Sequence, residues 1–186
     1  MEHKGTVLLE TERLILRRFT MEDADLMFKN WANNPIVTKY LCWPPHSDIL
    51  VSKEVLNDWI SSYQKPNYYQ WAIELKDISE PIGSIAIVKQ CDDIGMVHVG
   101  YCIGRNWWGK SYTSEALAAL IKFFFEDVGV SRVESRHDPN NPGSGKVMMK
   151  CGMKYEGTMR KADTSNLGIV DSVHYAILAE DYFDKK

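Results

Sequence analysis

The stretch that decides the fold is residues 97–117, which read VHVGYCIGRNWWGKSYTSEAL. Residues 96–103 alternate and predict a strand, and residues 114–127 repeat apolar side chains at helical spacing. The Gly-Lys-Ser before the helix therefore lies where a strand passes into a helix, and several backbone N–H groups there lack helical partners. Those donors, with the positive end of the helix dipole, predict an anion site. The simpler interpretation is an ordinary turn with Ser111 as the helix cap.

The same loop also matches a nucleotide-triphosphatase pattern. Residues 104–111 fit Gly-x-x-x-x-Gly-Lys-Ser. We reject this interpretation because Trp107 and Trp108 occupy the part of the loop that would have to wrap closely around a phosphate. Residues 168–171 are a poor match to a strand ending in a magnesium-binding aspartate, and the upstream strands do not form the parallel units of that fold. A P-loop triphosphatase stays a remote alternative.

The order of elements predicts a mixed α/β (α+β) domain. It reads as strand, two helices, three strands, helix, strand, helix and two strands, with the three central strands in an antiparallel meander. The predicted strands are residues 14–19, 70–75, 81–89, 96–103, 132–136, 154–161 and 171–178. The predicted helices are residues 20–34, 52–63, 114–127 and the one that Asn141 and Pro142 open and Gly152 ends. Because no repeat or linker is evident, we expect residues 1–186 to form one domain with a core at about 11–183.

Composition narrows the class of partner. The 186 residues are 45% hydrophobic and 25% charged, which is typical of one globular core, and the net charge of −3 argues against nucleic acid as a partner. The four cysteines form no CxxC pair and have no nearby histidine at metal spacing, so we predict no metal site, reduced thiols and a cytoplasmic protein. No signal-peptide run or membrane span is evident. Because symmetric pairing is common among soluble proteins, a homodimer is among the partners considered.

Three fragments carry a resemblance to a known family. The chain has Thr11-Glu12-Arg13-Leu14, then Pro81-Ile82-Gly83-Ser84-Ile85, then WGKSYTSEA at residues 108–116. In order and spacing they resemble the GNAT superfamily of N-acetyltransferases, in particular the RimJ/RimL-like ribosomal-protein N-acetyltransferases. The family loop is Gln/Arg-x-x-Gly-x-Gly/Ala, and Ser111 here replaces the usual second glycine. The resemblance implies a GNAT-like fold: a mostly antiparallel sheet of six to seven strands, splayed in the middle and flanked by about four helices.

The resemblance also implies a binding site for acetyl-CoA. N–H groups of residues 109–114 would bind the pyrophosphate, and pantetheine would complete the sheet beside the strand at residues 100–103. A backbone N–H of this strand would stabilise the oxyanion formed from the thioester. The alternative for this strand is simple core packing. The implied cofactor-binding residues are Tyr101, Cys102, Ile103, Trp108, Gly109, Lys110, Ser111, Tyr112, Thr113, Ser114, Asn141, Ser144, Val147 and Lys150.

Three side chains are candidates for catalysis. Asn141 and Ser144 fall on the family's Asn-x-x-Ser, which implies that the Ser144 hydroxyl lies near the sulfur and protonates the departing thiolate. For the base we consider His98, where many relatives carry glutamate, and Asp163, where RimL-like enzymes carry an acidic residue. The alternatives are a helix-terminal serine, an exposed strand histidine and a solvated loop acid. Cys102 and Cys151 are expected to be packed thiols.

The predicted function is transfer of an acetyl group from acetyl-CoA to a primary amine by direct attack in a ternary complex. A protein N-terminal α-amine is the acceptor that the family suggests, and a small-molecule amine is the other. We place Tyr40, Trp43 and Asp171 at the acceptor. The alternative from another class is a CoA-binding sensor or interaction module without turnover.

Overall fold

A computed structural model describes residues 1–184. Its centre is one eight-stranded sheet in the order β1-β2-β3-β4-β5-β6-β8-β7, in which only the β5–β6 pairing is parallel. The strands are β1 (Leu9–Glu10), β2 (Leu14–Arg17), β3 (Gln70–Leu75), β4 (Glu80–Cys91), β5 (Met96–Ile103), β6 (Arg132–His137), β7 (Lys154–Ser165) and β8 (Gly168–Leu178). The predicted mixed α/β class and mostly antiparallel sheet are confirmed. The prediction of six to seven strands was one short because β1 has two residues, too few for a visible alternation.

Six α-helices surround the sheet in the described part of the chain. They are α1 (Ala24–Met27), α2 (Pro35–Thr38), α3 (Ile49–Ser62), α4 (Tyr112–Phe123), α5 (Pro142–Lys150) and α6 (Ala179–Phe183). The helix predicted over 20–34 is divided into a 3₁₀ turn, α1 and a π-helical turn at Phe28–Ala32. The predicted end at Pro35 holds, but the Asn34 side chain then accepts the Ile36 N–H (2.9 Å) and starts α2. The count of about four helices missed α2 and α6, which have only four and five residues.

Helices cover both faces of the sheet. On one face, the ring of Phe124, the residue after α4, packs edge-on against Tyr69, the residue before β3, with ring centroids 5.0 Å apart. On the other face, Phe19, Trp31 and Leu56 form a second apolar cluster beneath α1 and α3. Burial on both faces explains why β3 reads as a nearly continuous buried run.

The sheet opens between β5 and β6. These strands pair only from Met96 opposite Arg132 to His98 opposite Glu134, although β5 continues to Ile103. A bulge in β4 lies next to this point, between Ile87 and Lys89. The splay that the resemblance implied is confirmed, and it leaves one edge of β5 facing a gap.

Candidate active site

The outer half of β5 presents main-chain groups to the gap. The Ser135 hydroxyl of β6 donates to the Val99 carbonyl across the gap (2.8 Å), whereas the Gly104 N–H donates to Ile82 of β4 (2.8 Å). Since successive residues of a strand direct their main-chain groups to opposite neighbours, Tyr101 and Ile103 face the gap together with Val99. This edge can accept an extended ligand as a further strand.

A cavity of about 560 Å³ occupies the gap and reaches the start of α4 and α5. Every predicted cofactor-binding residue except Lys110 lines this cavity. The main chain at Lys110 faces away from the cavity, because its carbonyl accepts a hydrogen bond from Arg13 Nη1 (3.1 Å). Trp107 and Trp108 border the cavity without filling it, and Trp108 Nε1 donates to the Ile103 carbonyl (2.8 Å).

The N-terminus of α4 opens into this cavity. Gly109 and Ser111 both adopt positive φ, at 73° and 66°, and the turn between them brings the chain into the helix. Ser111 occupies the N-cap position, yet its side chain makes no capping hydrogen bond. The first helical hydrogen bond runs from the Glu115 N–H to the Ser111 carbonyl (3.0 Å). Residues 112–114 therefore have N–H groups free of helical partners, as an anion site requires.

Tyr101 and Ser144 join the two sides of the gap. The Ser144 hydroxyl donates to the Tyr101 oxygen (3.0 Å), and the Tyr101 hydroxyl donates to the Ser144 carbonyl (3.0 Å). Burial raises the pKa of Tyr101 well above its ordinary value, so the phenol remains a donor at neutral pH. Asn141 holds the N-cap position of α5 and lines the cavity, and its side chain makes no capping hydrogen bond. The pair fixes the Ser144 hydroxyl at the cavity wall.

Sequence reasoning missed several residues of the cavity wall. Val37, Leu41, Trp107, Gly143 and Lys146 line it as well. The last two could have been found, because they follow helical spacing with the predicted Val147 and Lys150. Lys150 also connects two parts of the cavity wall, because its Nζ donates a hydrogen bond to Ser111 Oγ (2.6 Å).

His98 is buried and held by a carboxylate. It is 5% exposed, so the alternative of an exposed strand histidine was wrong. Its Nδ1 lies 3.1 Å from Glu134 Oε1, and Arg132 Nε donates to the other oxygen of Glu134 (3.0 Å). With the proton on Nδ1, Nε2 keeps a lone pair that can accept a proton. His98 does not line the cavity, but alternation places its side chain on the same face of β5 as Cys102, which does.

Asp163 lies outside the cavity and is ion-paired. Arg136 Nε and Nη2 contact its two oxygens at 2.6 and 3.0 Å. Both oxygens of the Asp163 carboxylate are thus engaged by the guanidinium. Of the three catalytic candidates, the structure brings only Ser144 to the cavity.

Of the three residues predicted to contact the acceptor amine, only one lies at the cavity. Tyr40 lines the cavity, whereas Trp43 and Asp171 do not. Asp171 accepts the Lys161 N–H (2.8 Å) within the β7–β8 hairpin. Asn166, at the tip of that hairpin, donates its side-chain amide to the carbonyl of Trp43 (2.7 Å).

The tip of the β7–β8 hairpin supports the segment at residues 38–43, which contributes Tyr40 and Leu41 to the cavity wall. Besides Trp43, Asn166 donates its side-chain amide to the Thr38 carbonyl (2.8 Å) and its main-chain N–H to the Leu41 carbonyl (3.0 Å). These contacts span more than 120 residues of sequence, and no local pattern indicates them. They hold Tyr40 and Leu41 against the cavity.

The cysteines have no role in this site as nucleophiles. All four are free, and Cys42 is exposed rather than part of the core. Burial raises the pKa of Cys151 to about 12 and raises that of Cys102 as well, so both are protonated at neutral pH.

Within residues 1–184, no group of three or more His, Cys, Asp or Glu side chains is placed to hold a metal. In the same range, no helix combines the length and apolar character of a membrane span.

Stability is expected to fall as the pH drops below about 6.5, because of His98 and His46. Burial lowers the pKa of both; for His98, Glu134 offsets part of the shift, while Arg136 and His174 add to it. The unfolded chain then takes up protons near its ordinary pKa while the folded chain does not, so stability present above that pKa is lost as the pH falls. Each group adds a slope of at most ~1.4 kcal/mol per pH unit.

The measurement is urea unfolding between pH 7.5 and 5.5. In His98→Gln the free energy of unfolding should change less steeply with pH than in wild type, whatever the absolute stability of the variant. His46→Gln should show the same effect at a second buried histidine. A wild-type stability that does not change over this range would contradict the prediction.

The comparisons with known proteins agree with this geometry. The family profile of the acetyltransferase (GNAT) domain matches residues 13–154. An uncharacterised N-acetyltransferase, p20 of Bacillus licheniformis, is 29% identical over 174 residues, covering 94% of this chain and 97% of that protein. The [ribosomal protein uS5]-alanine N-acetyltransferase of Escherichia coli is 26% identical over 164 residues, 81% and 80% of the two chains. A GNAT-family acetyltransferase structure from Bacillus anthracis superposes with a TM-score of 0.82 at 24% identity, covering 94% and 99%. The chain belongs to the GNAT acetyltransferase family.

Proposed function

We propose that the protein transfers the acetyl group of acetyl-CoA to a primary amine by direct attack within a ternary complex. The observation that carries the proposal is one continuous cavity that joins the start of α4 to the free edge of β5. A diphosphate needs the first feature and a pantetheine arm needs the second. The sheet also disfavours the P-loop alternative, because that fold requires several parallel strands and the described sheet has a single parallel pair, β5 with β6.

Acetyl-CoA is proposed to bind along this cavity. The N–H groups of residues 112–114 would receive the diphosphate, with the ammonium groups of Lys146 and Lys150 at the cavity wall as counter-charges. The pantetheine amides would pair with Tyr101 and Ile103 on the edge of β5. This arrangement sets the thioester beside Ser144.

The proposed chemistry uses the backbone of β5 and one side chain of α5. A main-chain N–H in the gap-facing part of β5, at Tyr101, would stabilise the oxyanion of the tetrahedral intermediate. As that intermediate collapses, the C–S bond breaks and the Ser144 hydroxyl donates a proton to the thiolate. Ser144 is then reprotonated from solvent or through the Tyr101 hydroxyl that it contacts.

The amine must lose a proton before or during attack. We favour His98 over Asp163 as the acceptor of that proton, through water, because His98 is neutral and Glu134 stabilises the imidazolium that forms. Asp163 is engaged by Arg136. Alignment of amine and thioester supplies much of the remaining rate.

For the acceptor we propose an amine that enters beside Tyr40 and the segment at Trp43, with Asp171 on the hairpin as a more distant contact. The Escherichia coli relative is named for an alanine of a ribosomal protein, so a protein N-terminal α-amine is the first acceptor to test. A small-molecule amine is the second.

The test is release of free CoA thiol from acetyl-CoA with a panel of amines. We expect turnover with at least one acceptor, and a peptide with a free N-terminus is matched with the same peptide carrying a blocked N-terminus. CoA should raise Tm, since a ligand at about 100 times its Kd adds roughly 2.7 kcal/mol to the free energy of unfolding. Mg-ATP should not.

Two outcomes would give other answers. Binding of CoA with no product from any acceptor would support a CoA-binding sensor, for which the distance of His98 and Asp163 from the cavity is the argument. Stabilisation by Mg-ATP but not by CoA would overturn the acetyltransferase proposal.

A further inference from the structure

Glu115 carries a negative charge at the end of α4 where the proposed function needs to bind an anion. It lies in the first turn of the helix, and its side chain is only 19% exposed. A carboxylate there repels a diphosphate unless a cation neutralises it. Its surroundings therefore decide whether the loop can bind CoA.

Three hydrogen bonds and one further ion-pair contact from the β1–β2 turn converge on this carboxylate. Glu115 Oε1 accepts the Thr11 hydroxyl (2.7 Å) and the Arg13 N–H (2.9 Å). Glu115 Oε2 accepts Arg13 Nε (2.7 Å) and lies 2.6 Å from Arg13 Nη2. Burial raises the pKa of Glu115, and the bonds from Thr11 and Arg13 outweigh it, so its pKa lies below the ordinary value and it stays charged.

Arg13 also contacts both neighbours of Ser111. Its Nη1 donates to the Lys110 carbonyl (3.1 Å), and its guanidinium lies 4.4 Å from the centre of the Tyr112 ring. Ser111 itself adopts φ of 66°, a left-handed conformation that is unfavourable for a residue with a Cβ atom. The guanidinium thus contacts the loop on both sides of Ser111, the residue with the unfavourable backbone conformation.

We propose that Arg13 and Glu115 form a positioning pair that holds the loop at residues 110–112 in its diphosphate-binding conformation. The inference rests on the proposed function. Arg13 neutralises Glu115, and Glu115 fixes the guanidinium in the orientation that contacts Lys110 and Tyr112. Neither side chain lines the cavity, so the pair acts through the loop and not by touching the substrate.

Two acyl donors separate this role from a general structural one. Acetyl-CoA carries the diphosphate, and acetyl-pantetheine lacks it while presenting the same thioester. Arg13→Met should raise KM for acetyl-CoA about tenfold with kcat within about twofold, a loss in line with removal of a charge-assisted hydrogen bond. The kinetic parameters for acetyl-pantetheine should not change.

Further variants test the coupling. Arg13→Lys keeps the charge but not the planar fork, so its KM should lie between wild type and Arg13→Met. Arg13→Met with Glu115→Gln should recover part of the affinity, because the uncompensated charge is removed. In a Ser111→Gly background the loss from Arg13→Met should shrink, since glycine adopts positive φ without strain.

Lys154→Met is the control, because it removes an exposed lysine that pairs with Asp181 far along the sequence from the loop. Equal losses with acetyl-CoA and acetyl-pantetheine, or an unchanged KM for acetyl-CoA in Arg13→Met, would overturn the pairing. If wild type uses neither donor with any amine, the proposed function itself fails and the pairing fails with it.

Discussion

Replacing Ser144 with alanine is expected to lower kcat by about 100-fold, the lower end of what a positioned proton donor contributes. The Kd of CoA should change little, because the diphosphate and pantetheine contacts proposed above do not involve the hydroxyl. The physical reason is the leaving group: a thiolate departs from the tetrahedral intermediate more easily when the Ser144 O–H can protonate it. The measurement is steady-state kinetics with a fixed amine, together with calorimetric titration of CoA.

A change of leaving group distinguishes proton donation from a packing defect. With an acetyl thioester of a more acidic thiol, the Ser144→Ala variant should approach wild type, since a good leaving group needs no proton. Tyr101→Phe removes the partner of the Ser144 hydroxyl and should lose about tenfold in kcat, less than the loss of the donor itself. Ser61→Ala is the control, because it replaces an exposed serine of α3 and should leave kcat unchanged. A Ser144→Ala enzyme with unchanged kcat would remove Ser144 from the mechanism.

The cavity wall was the part of the site that the sequence, through its family resemblance, could predict. The strand, loop and helix at residues 97–117 are contiguous, so their main-chain groups are brought together by local geometry alone. The same holds for Asn141 and Ser144, which lie at the N-cap and in the first turn of α5. Residues predicted from those two segments line the cavity, and the one exception, Lys110, is turned away by a contact with the distant Arg13.

What the sequence could not predict depends on contacts between distant segments. Glu134 lies 36 residues after His98, and only the parallel pairing of β5 with β6 places the two side by side. Arg136 reaches Asp163 from a strand that is not adjacent to β7, because β8 lies between β6 and β7. The order of strands decides these partners, and periodicity within each strand carries no information about that order.

The final prediction concerns Gly104, which follows β5 and begins the loop that leads into α4. Gly104→Ala is expected to lower the free energy of unfolding by about 3 kcal/mol and Tm by about 10 °C, as overpacking of a filled site does. Its φ of −58° suits alanine, so backbone strain is not the cause. An added Cβ would lie 2.3 Å from the Asn30 carbonyl oxygen and 2.6 Å from the Trp107 ring. One of these must move, and Trp107 belongs to the cavity wall.

Gly143→Ala is the matched control for this prediction. A Cβ there would meet only Asn141 Oδ1 at 3.7 Å, and alanine favours the helix by up to about 1 kcal/mol over glycine. Thermal unfolding of the two variants should therefore move in opposite directions, although both exchange the same pair of residues. Because displacement of Trp107 reaches the loop, Gly104→Ala should also weaken CoA binding. A Gly104→Ala protein as stable as wild type would contradict this prediction. It would mean that the π-helical turn at Phe28–Ala32 can move away from residue 104 at little cost. The contact between this turn and Gly104 would then not determine where the loop begins.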